Sequence, residues 1–380
     1  MANTNRVKIA KEVLLWAIEE SQKSLEEVKE KFNKIEEWIN QDSLPTFRQL
    51  ENLANLLKVP LGYMFLDKPP RTNIIESDFR TIGNKKPNIS KNLKDTIYEM
   101  SRKQDWISEY RKDNGWDKII VKSYKDLKMD DLIKEAKEFL DLKGYWYRDF
   151  KDNRKAFNFL REKLENKGII VMQNGVVVSN THRKLDINEF RGFMLYDDYA
   201  PLIFVNGRDS FSGRIFTLVH EFIHLLFKED DVLENIDYEE KKVIESQVNK
   251  ITIEFLIPRS HINEIWNKED ISINQIDKVS KLFNVSRLAL GIRLKDLNLV
   301  NKSFVEEIRD ITNKDIGHKE ENTDGGDYWV TYKSRYSRKF IETVIQGAES
   351  GDISYRDAFN LLNVKAKNYD ILKEDVMSYG

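Results

Sequence analysis

Hydrophobic positions recur at helical spacing in four short runs over the first 66 residues. Ile9, Val13, Leu14 and Ala17 form the first, Leu25, Val28 and Phe32 the second, Ile35 and Trp38 the third, and Phe47, Leu50, Leu53, Ala54 and Leu57 the fourth. Pro45 and Thr46 open the fourth helix, and Pro60 stops it ahead of Tyr63, Met64 and Phe65. The pattern then breaks from Leu66 to about Ser90, where Pro69, Pro70, Gly83 and Pro87 sit among charges and mark a connector. Helical periodicity returns over Leu93 to Tyr110, Asp130 to Leu142 and Asn153 to Glu165, the last ending at Lys167 and Gly168.

At that point the period drops to two. Gly168 to Met172, Gly175 to Val178, Phe190 to Tyr196 and Leu202 to Val205 are β-rich runs separated by turn residues such as Asn174, Gly175, Asp197 and Asp198. They predict a small antiparallel sheet. Two helices follow, over Phe211 to Phe227 and Tyr238 to Ile257, with Pro258 stopping the second. The remainder is helical apart from a loose loop from Asn313 to Asp327 containing Gly317, Gly325 and Gly326. The expected fold is α+β and mostly helical. It divides into a helical module over residues 1–66, a connector and helix over 67–128, a mixed domain over 129–300 and a helical C-terminal region over 301–380.

Composition narrows the chemistry. The chain of 380 residues has no cysteine, which excludes disulfides, thiolate nucleophiles and every Cys-containing zinc site. Any metal must be held by His, Asp and Glu. Its 62 Lys and Arg against 64 Asp and Glu leave a net charge of −2, so no global field draws in nucleic acid or an anionic membrane. No stretch approaches the ~18 apolar residues of a membrane span, and the N-terminal apolar run is too short for a secretory signal. A soluble, cytoplasmic chain with no membrane partner is expected.

The sharpest motif lies in the helix from Phe211 to Phe227, where His220, Glu221 and His224 form HExxH. Helical residues four apart share a face with Cβ atoms ~5–6 Å apart, so both imidazoles can meet one ion. Glu221 then lies beside the metal without ligating it. The helix is apolar nearly all round, through Phe216, Leu218, Val219, Phe222, Ile223, Leu225, Leu226 and Phe227, and should be buried on most sides. Polar side chains in such a helix cost several kcal/mol unless satisfied. A zinc ion with its water satisfies all three at once. The alternative is a pair of buried histidines hydrogen-bonded to backbone carbonyls.

A third ligand is required, and cysteine is absent. In the next helix Ile244, Val248, Ile251 and Phe255 form the core stripe, and Glu245 and Asn249 lie on its flank. Glu245 is the leading third ligand. Asn249, one turn on, is suited to hydrogen-bond a ligand imidazole from outside the coordination sphere. Without HExxH, Glu245 would read as one more solvated acid in a helix that starts with Glu239 and Glu240.

At these residues the chain resembles the ImmA/IrrE family of zinc metallopeptidases, in particular members with an N-terminal Xre-type helix-turn-helix. The resemblance is carried by Asp78-Phe-Arg-Thr81, Arg102-Lys-Gln-Asp-Trp106, Glu189-Phe-Arg-Gly-Phe193, Ala200-Pro-Leu-Ile-Phe-Val-Asn206, Phe216 to Leu226, Glu245-Ser-Gln-Val-Asn249 with Phe255-Leu-Ile-Pro258, and Tyr355 to Leu362. It implies a zincin-like fold, Zn2+ on His220, His224 and Glu245, and Glu221 as general base. Such proteins cleave transcriptional repressors, so the expected function is a zinc-dependent endopeptidase that cleaves a partner regulatory protein when triggered. The rival reading is a non-catalytic transcriptional regulator or antitoxin-like protein that uses the same fold to hold a partner. Intact HExxH together with Glu245 favours the enzyme, because a pure binder has no need of Glu221.

The strand Leu202 to Val205 precedes the HExxH helix, and an exposed edge there would bind an extended substrate by strand addition. Arg191, Arg214, Tyr199 and His261 are candidates for an oxyanion stabiliser. His182 is expected in a loop and His318 in the loose segment, both at the surface.

The N-terminal module resembles an Xre-type helix-turn-helix most clearly from Trp38 through Leu44-Pro-Thr46, Gln49-Leu50, Leu53-Ala54 and Val59-Pro60. The span from Val28 to Trp38 is several residues short of the usual form, and Glu36 and Glu37 stand where bases would be read. Residues 1–66 carry nine Lys and Arg against ten acids, a net of −1. Phosphate contacts dominate DNA affinity, so DNA is a possible but disfavoured partner, and a protein-docking or dimerising role is expected. Two further segments, Gln275 to Leu299 around Asn284-Val-Ser286 and the basic Thr331 to Lys339, read as core packing and a solvated face. The run Tyr145-Trp146-Tyr147 reads as packing.

Overall fold

A computed structural model describes residues 6–69, 89–317 and 327–377, apart from positions 22, 58, 60, 120–122, 125 and 228–237. The Asp78-Phe-Arg-Thr81 stretch and His318 lie outside the described residues. Contacts separate two units, Met1–Ile75 with Lys86–Ile97, and Glu76–Lys85 with Tyr98–Gly380.

The first unit contains α1 (Lys11–Glu20), α2 (Leu25–Lys31), α3 (Ile35–Asn40), α4 (Phe47–Leu57), a 3-10 turn at Leu61–Phe65 and the start of α5 (Lys91–Asp113). Leu14, Ala17, Val28, Ile35, Leu50, Leu53, Leu57 and Met64 close its core. Local chemistry fixes the helix starts. Ser24 and Glu27 form a reciprocal capping box on α2, and Thr46 and Gln49 exchange the same pair of bonds at the head of α4. A short Phe32-Asn33-Lys34 turn joins α2 to α3, whose buried face is Ile35, Trp38 and Ile39. Its exposed side carries Glu36, paired with Lys29 at 2.8 Å.

The second unit continues through α6 (Met129–Phe139) and α7 (Asn153–Asn166) into β1 (Ile170–Asn174), β2 (Val176–Val177), β3 (Asn180–Lys184), β4 (Gly192–Leu195) and β5 (Leu202–Asn206). Then come α8 (Phe211–Phe227), α9 (Tyr238–Leu256), α10 (Arg259–Ile265), α11 (Ile273–Phe283), α12 (Arg287–Asp296), α13 (Lys302–Gly317), α14 (Tyr328–Arg335), α15 (Arg338–Ser350), α16 (Tyr355–Leu362) and α17 (Ala366–Met377). The α+β, mostly helical expectation holds, but the sheet is mixed. Its order is β1-β5-β4, with β1 parallel to β5 (Ile170↔Leu202) and β4 antiparallel to β5 (Gly192↔Val205). Alternation assigns faces to side chains but says nothing about neighbours, which is why an all-antiparallel sheet was expected.

Three further departures follow from that sheet and its surroundings. The strand Leu202–Asn206 is central, buried at all five positions, so it offers no free edge; β4 is the edge beside it. His182 sits in β3, an exposed ribbon strand paired with β2, rather than in a loop. α13 runs through Asn313 to Gly317, so the start of the expected loose loop is helical.

One sheet face, with Val171, Met194, Ile203 and Val205, joins the core formed by α7, α8 and α9. On the other face Phe193 stacks on Phe204 at 5.0 Å, with Phe190 alongside. α5 holds the β4–β5 turn: Gln104 Nε2 donates to the carbonyls of Leu195 (2.7 Å) and Ala200 (3.0 Å), and Arg111 donates to those of Gly168 and Tyr199. The same helix buries Lys103, which donates to the Leu361 carbonyl and pairs with Glu99 at 2.8 Å. Asn363, in the left-handed region at φ 53°, closes that network by donating to Glu99 and to the Tyr336 hydroxyl. No helix among the described residues is long and apolar enough to cross a membrane.

Candidate metal centre

The start of α8 is fixed by Ser210, whose hydroxyl accepts from the Gly213 amide, and by Asp209, whose carboxylate fills the space a Cβ on Gly213 would need. Arg214 ties the preceding loop down. It donates to the carbonyls of Gly207 and Asp209 and stacks over Phe211. Burial lowers the pKa of this guanidinium despite the nearby Asp209.

Two turns further on, α8 delivers the two histidines. His220 and His224 are buried, and their Nε2 atoms lie 3.1 Å apart. Glu245, half-buried on α9, places one carboxylate oxygen 3.2 Å from His224 Nε2 and the other 3.6 Å from His220 Nε2. His220, His224 and Glu245 are the one His/Cys/Asp/Glu group among the described residues whose ligand atoms are close enough to share an ion. The donor set fits a divalent cation. Two ligands at ~2.0–2.1 Å on a tetrahedral ion stand about 3.3–3.4 Å apart, close to all three separations seen. Two neutral imidazoles in this arrangement could offer at most one N–H between their facing nitrogens, whereas a cation satisfies both nitrogens and the carboxylate together.

Glu221 stands outside this triangle, as a residue about 100° round the helix from His220 must. It faces the edge strand: a Cβ on Gly192 would lie 3.6 Å from Glu221 Cγ, 2.8 Å from the Phe204 carbonyl oxygen and in overlap with the Thr217 methyl. Gly192 is therefore what lets β4 lie this close to α8. Asn206 N–H donates to the Arg191 carbonyl, so Arg191, Phe193 and Leu195 direct their backbone groups at β5, and Gly192 and Met194 direct theirs at the open edge. Asn249 is half-buried one turn after Glu245, and the stripe Ile244, Val248, Ile251 and Phe255 is buried as expected.

The four oxyanion candidates have partners elsewhere. Arg191 donates to Asp209 at 2.8 Å, and Arg214 is held in the loop described above. Tyr199 gives its carbonyl to Arg111 and its ring to Lys112 and Lys118. His261 is buried 2.7 Å from the Tyr147 hydroxyl, stacked on Tyr145 and bonded to Arg148; burial first, then Arg148, lowers its pKa. Trp146 and Tyr147 are packing residues. In Gln275–Leu299, Gly291 of α12 packs on Ile308, Arg287 pairs with Asp277 and Arg293 with Glu254. In Thr331–Lys339, Lys333 pairs with Asp375, and Arg338 and Lys339 with Glu342. The first segment packs into the fold, and Lys333, Arg338 and Lys339 of the second lie exposed in surface ion pairs. Periodicity did not single out Gly192, Gln104 or Gln173, because single buried polar or small residues leave no repeating signal.

Residues 166–295 match the model of the IrrE N-terminal-like domain, Peptidase M78, which spans β1 to α12 and contains the whole metal triangle. Residues 336–374, in the C-terminal helices, match a domain of unknown function, DUF8813. The comparison with curated proteins returns no match. The first match supports the ImmA/IrrE resemblance and a metallopeptidase-type fold for the central region.

Proposed function

We propose that the second unit is a zinc-dependent endopeptidase that cleaves a partner regulatory protein in response to a trigger. The observation that carries this reading is the convergence of His220, His224 and Glu245 on one point, with Glu221 packed beside the edge strand β4 at Gly192. Zinc held there supplies Lewis acidity, polarising a peptide carbonyl and making water acidic near neutral pH. Glu221 takes the proton as water attacks the carbonyl and returns it to the leaving amine. An extended substrate adds to β4, bonding the outward backbone groups of Gly192 and Met194, which sets the scissile bond against α8. Asn249 steadies a ligand imidazole from the next turn.

The choice of a regulatory protein as substrate follows the ImmA/IrrE resemblance. The N-terminal unit fits a protein-docking role better than DNA reading, since the exposed side of its six-residue α3 is acidic and already paired to Lys29. The test is mass spectrometry of a repressor-type or antitoxin-like regulator co-expressed with the full chain. Defined cleavage products should appear with wild type and vanish with Glu221→Gln. Unchanged regulator with wild type under every trigger tried, together with full biological activity of Glu221→Gln, would favour the binding-protein reading.

A further inference from the structure

One buried side chain hydrogen-bonds both to a C-terminal helix and to the start of the metal-bearing helix. Gln173 on β1 is buried, and its amide is used at both ends: Nε2 donates to the Ser334 carbonyl at 2.7 Å, and Oε1 accepts from Arg214 Nη1 at 3.2 Å. A guanidinium only donates and a carbonyl only accepts, so the two partners fix which way this amide points. On one side Arg214 gathers the Gly207 and Asp209 carbonyls at the head of α8, six residues and ~9 Å along the helix from His220. On the other, Ser334 lies in the last turn of α14, just before the Tyr336–Ser337 turn into α15. That turn is held to the central domain by Arg161, which donates to Ser334, Tyr336 and Val171, by Glu165, which accepts from the Arg338 amide, and by Met172 Sδ, which accepts from the Ser337 amide.

We propose that Gln173 is a positioning residue through which the C-terminal helices, including the stretch of unassigned function from 336 to 374, set the placement of the metal helix. The inference rests on the metal reading of His220, His224 and Glu245. Two ligands come from α8 and the third from α9, so donor spacing depends on how α8 is seated. Metal sites hold their affinity only when ligands stay within ~0.5 Å of the productive geometry. Arg214 sets the start of α8, and Gln173 orients Arg214. Coupling of this kind is reciprocal: if the α14–α15 turn seats the helix, zinc binding must in return steady the turn.

The experiment uses the full chain, stripped of metal and reloaded with Zn2+ alone. Zinc affinity is measured by chelator competition, and amide exchange of Ser337 and Arg338 is followed by mass spectrometry with and without zinc. In wild type, zinc should slow exchange at the turn several-fold. Gln173→Met, which keeps the length and removes both bonds, should weaken zinc binding about tenfold, at the low end for outer-shell partners, and should abolish the protection. Should Gln173→Met fail to fold, Gln173→Glu serves. It keeps the acceptor for Arg214 but sets a carboxylate oxygen against the Ser334 carbonyl, so zinc should no longer protect the turn and zinc affinity should fall by the same several-fold factor as the protection lost. Unchanged exchange at the turn on adding zinc to wild type, or wild-type affinity in Gln173→Met, overturns the proposal. Zinc binding without peptide cleavage would remove the peptidase reading alone, and a wild type that binds no zinc would remove both.

Discussion

Two polar clusters lie buried in the second unit, and they are built on opposite principles. Around Lys103 every charge meets its complement within the chain: the ammonium meets Glu99 and the Leu361 carbonyl, and the Asn363 amide meets Glu99 and Tyr336. Around His220 and His224 the facing groups are two imidazole nitrogens and a carboxylate, all able to accept and all aimed at one another. The first cluster is a closed account of donors and acceptors, and its work is to cap α16 and hold it to α5. The second brings together the donor atoms that a divalent cation would take. Burial alone therefore does not mark a candidate metal site; convergence of three ligand-type atoms on one point does.

Substitutions can break this comparison from either side. The largest effect is expected at Glu221, where Glu221→Gln keeps shape but cannot take a proton. Peptide cleavage should fall by ~10²–10⁴ with zinc content unchanged. Cleavage at wild-type rate would end its role as base. At the other cluster Lys103→Met should leave zinc binding and turnover intact but remove the buried partner of the Glu99 carboxylate. Losing one partner of a buried pair costs ~3–5 kcal/mol. The low end is expected, since Arg102 still lies 3.2 Å from Glu99. Urea unfolding measures this, and a loss below 1 kcal/mol would show the pair to be ornamental.

Smaller effects sharpen the picture. Gly192→Ala forces a methyl into the Thr217 methyl and the Phe204 carbonyl, an overpacking change worth ~1–3 kcal/mol. Thr217→Ser, which removes the facing methyl, should recover part of that loss in the double variant. Proton linkage at Lys103 gives the smallest signal. Burial, outweighing the opposing pull of Glu99, draws its pKa down to about 8. Between that value and the ordinary ~10.4 the unfolded chain binds more protons than the folded one, so stability should rise with pH across this window, by at most ~1.4 kcal/mol per unit. The stability difference between wild type and Lys103→Met should therefore shift in favour of wild type as pH rises through this window. A difference between the wild-type and Lys103→Met urea midpoints that stays constant from pH 8 to 10 would contradict the assignment.

The contrast between the clusters was only half legible in the sequence. HExxH on a helix apolar all round, and Glu245 flanking the stripe Ile244, Val248, Ile251 and Phe255, are local periodic patterns, and the three candidate side chains come together where those patterns place them. Lys103 and Gln104 gave no such signal, because one buried polar residue per turn of an otherwise mixed helix looks like surface. Sheet order was equally hidden. Ile170–Asn174 and Leu202–Asn206 pair in parallel across the intervening hairpin and edge strand, a non-local fact that alternation does not encode. Asn180–Lys184 is polar on both faces, so its strand had no apolar rhythm to betray it.

The central claim is that the His220, His224 and Glu245 cluster closes around a metal ion and the Lys103 cluster does not. Zinc stoichiometry of purified full-length protein tests it most directly, measured in parallel on wild type, His224→Ala and Lys103→Met. The account predicts one zinc per chain in wild type, near zero in His224→Ala and one in Lys103→Met. Equal zinc in wild type and His224→Ala, or none in wild type after loading, would contradict it.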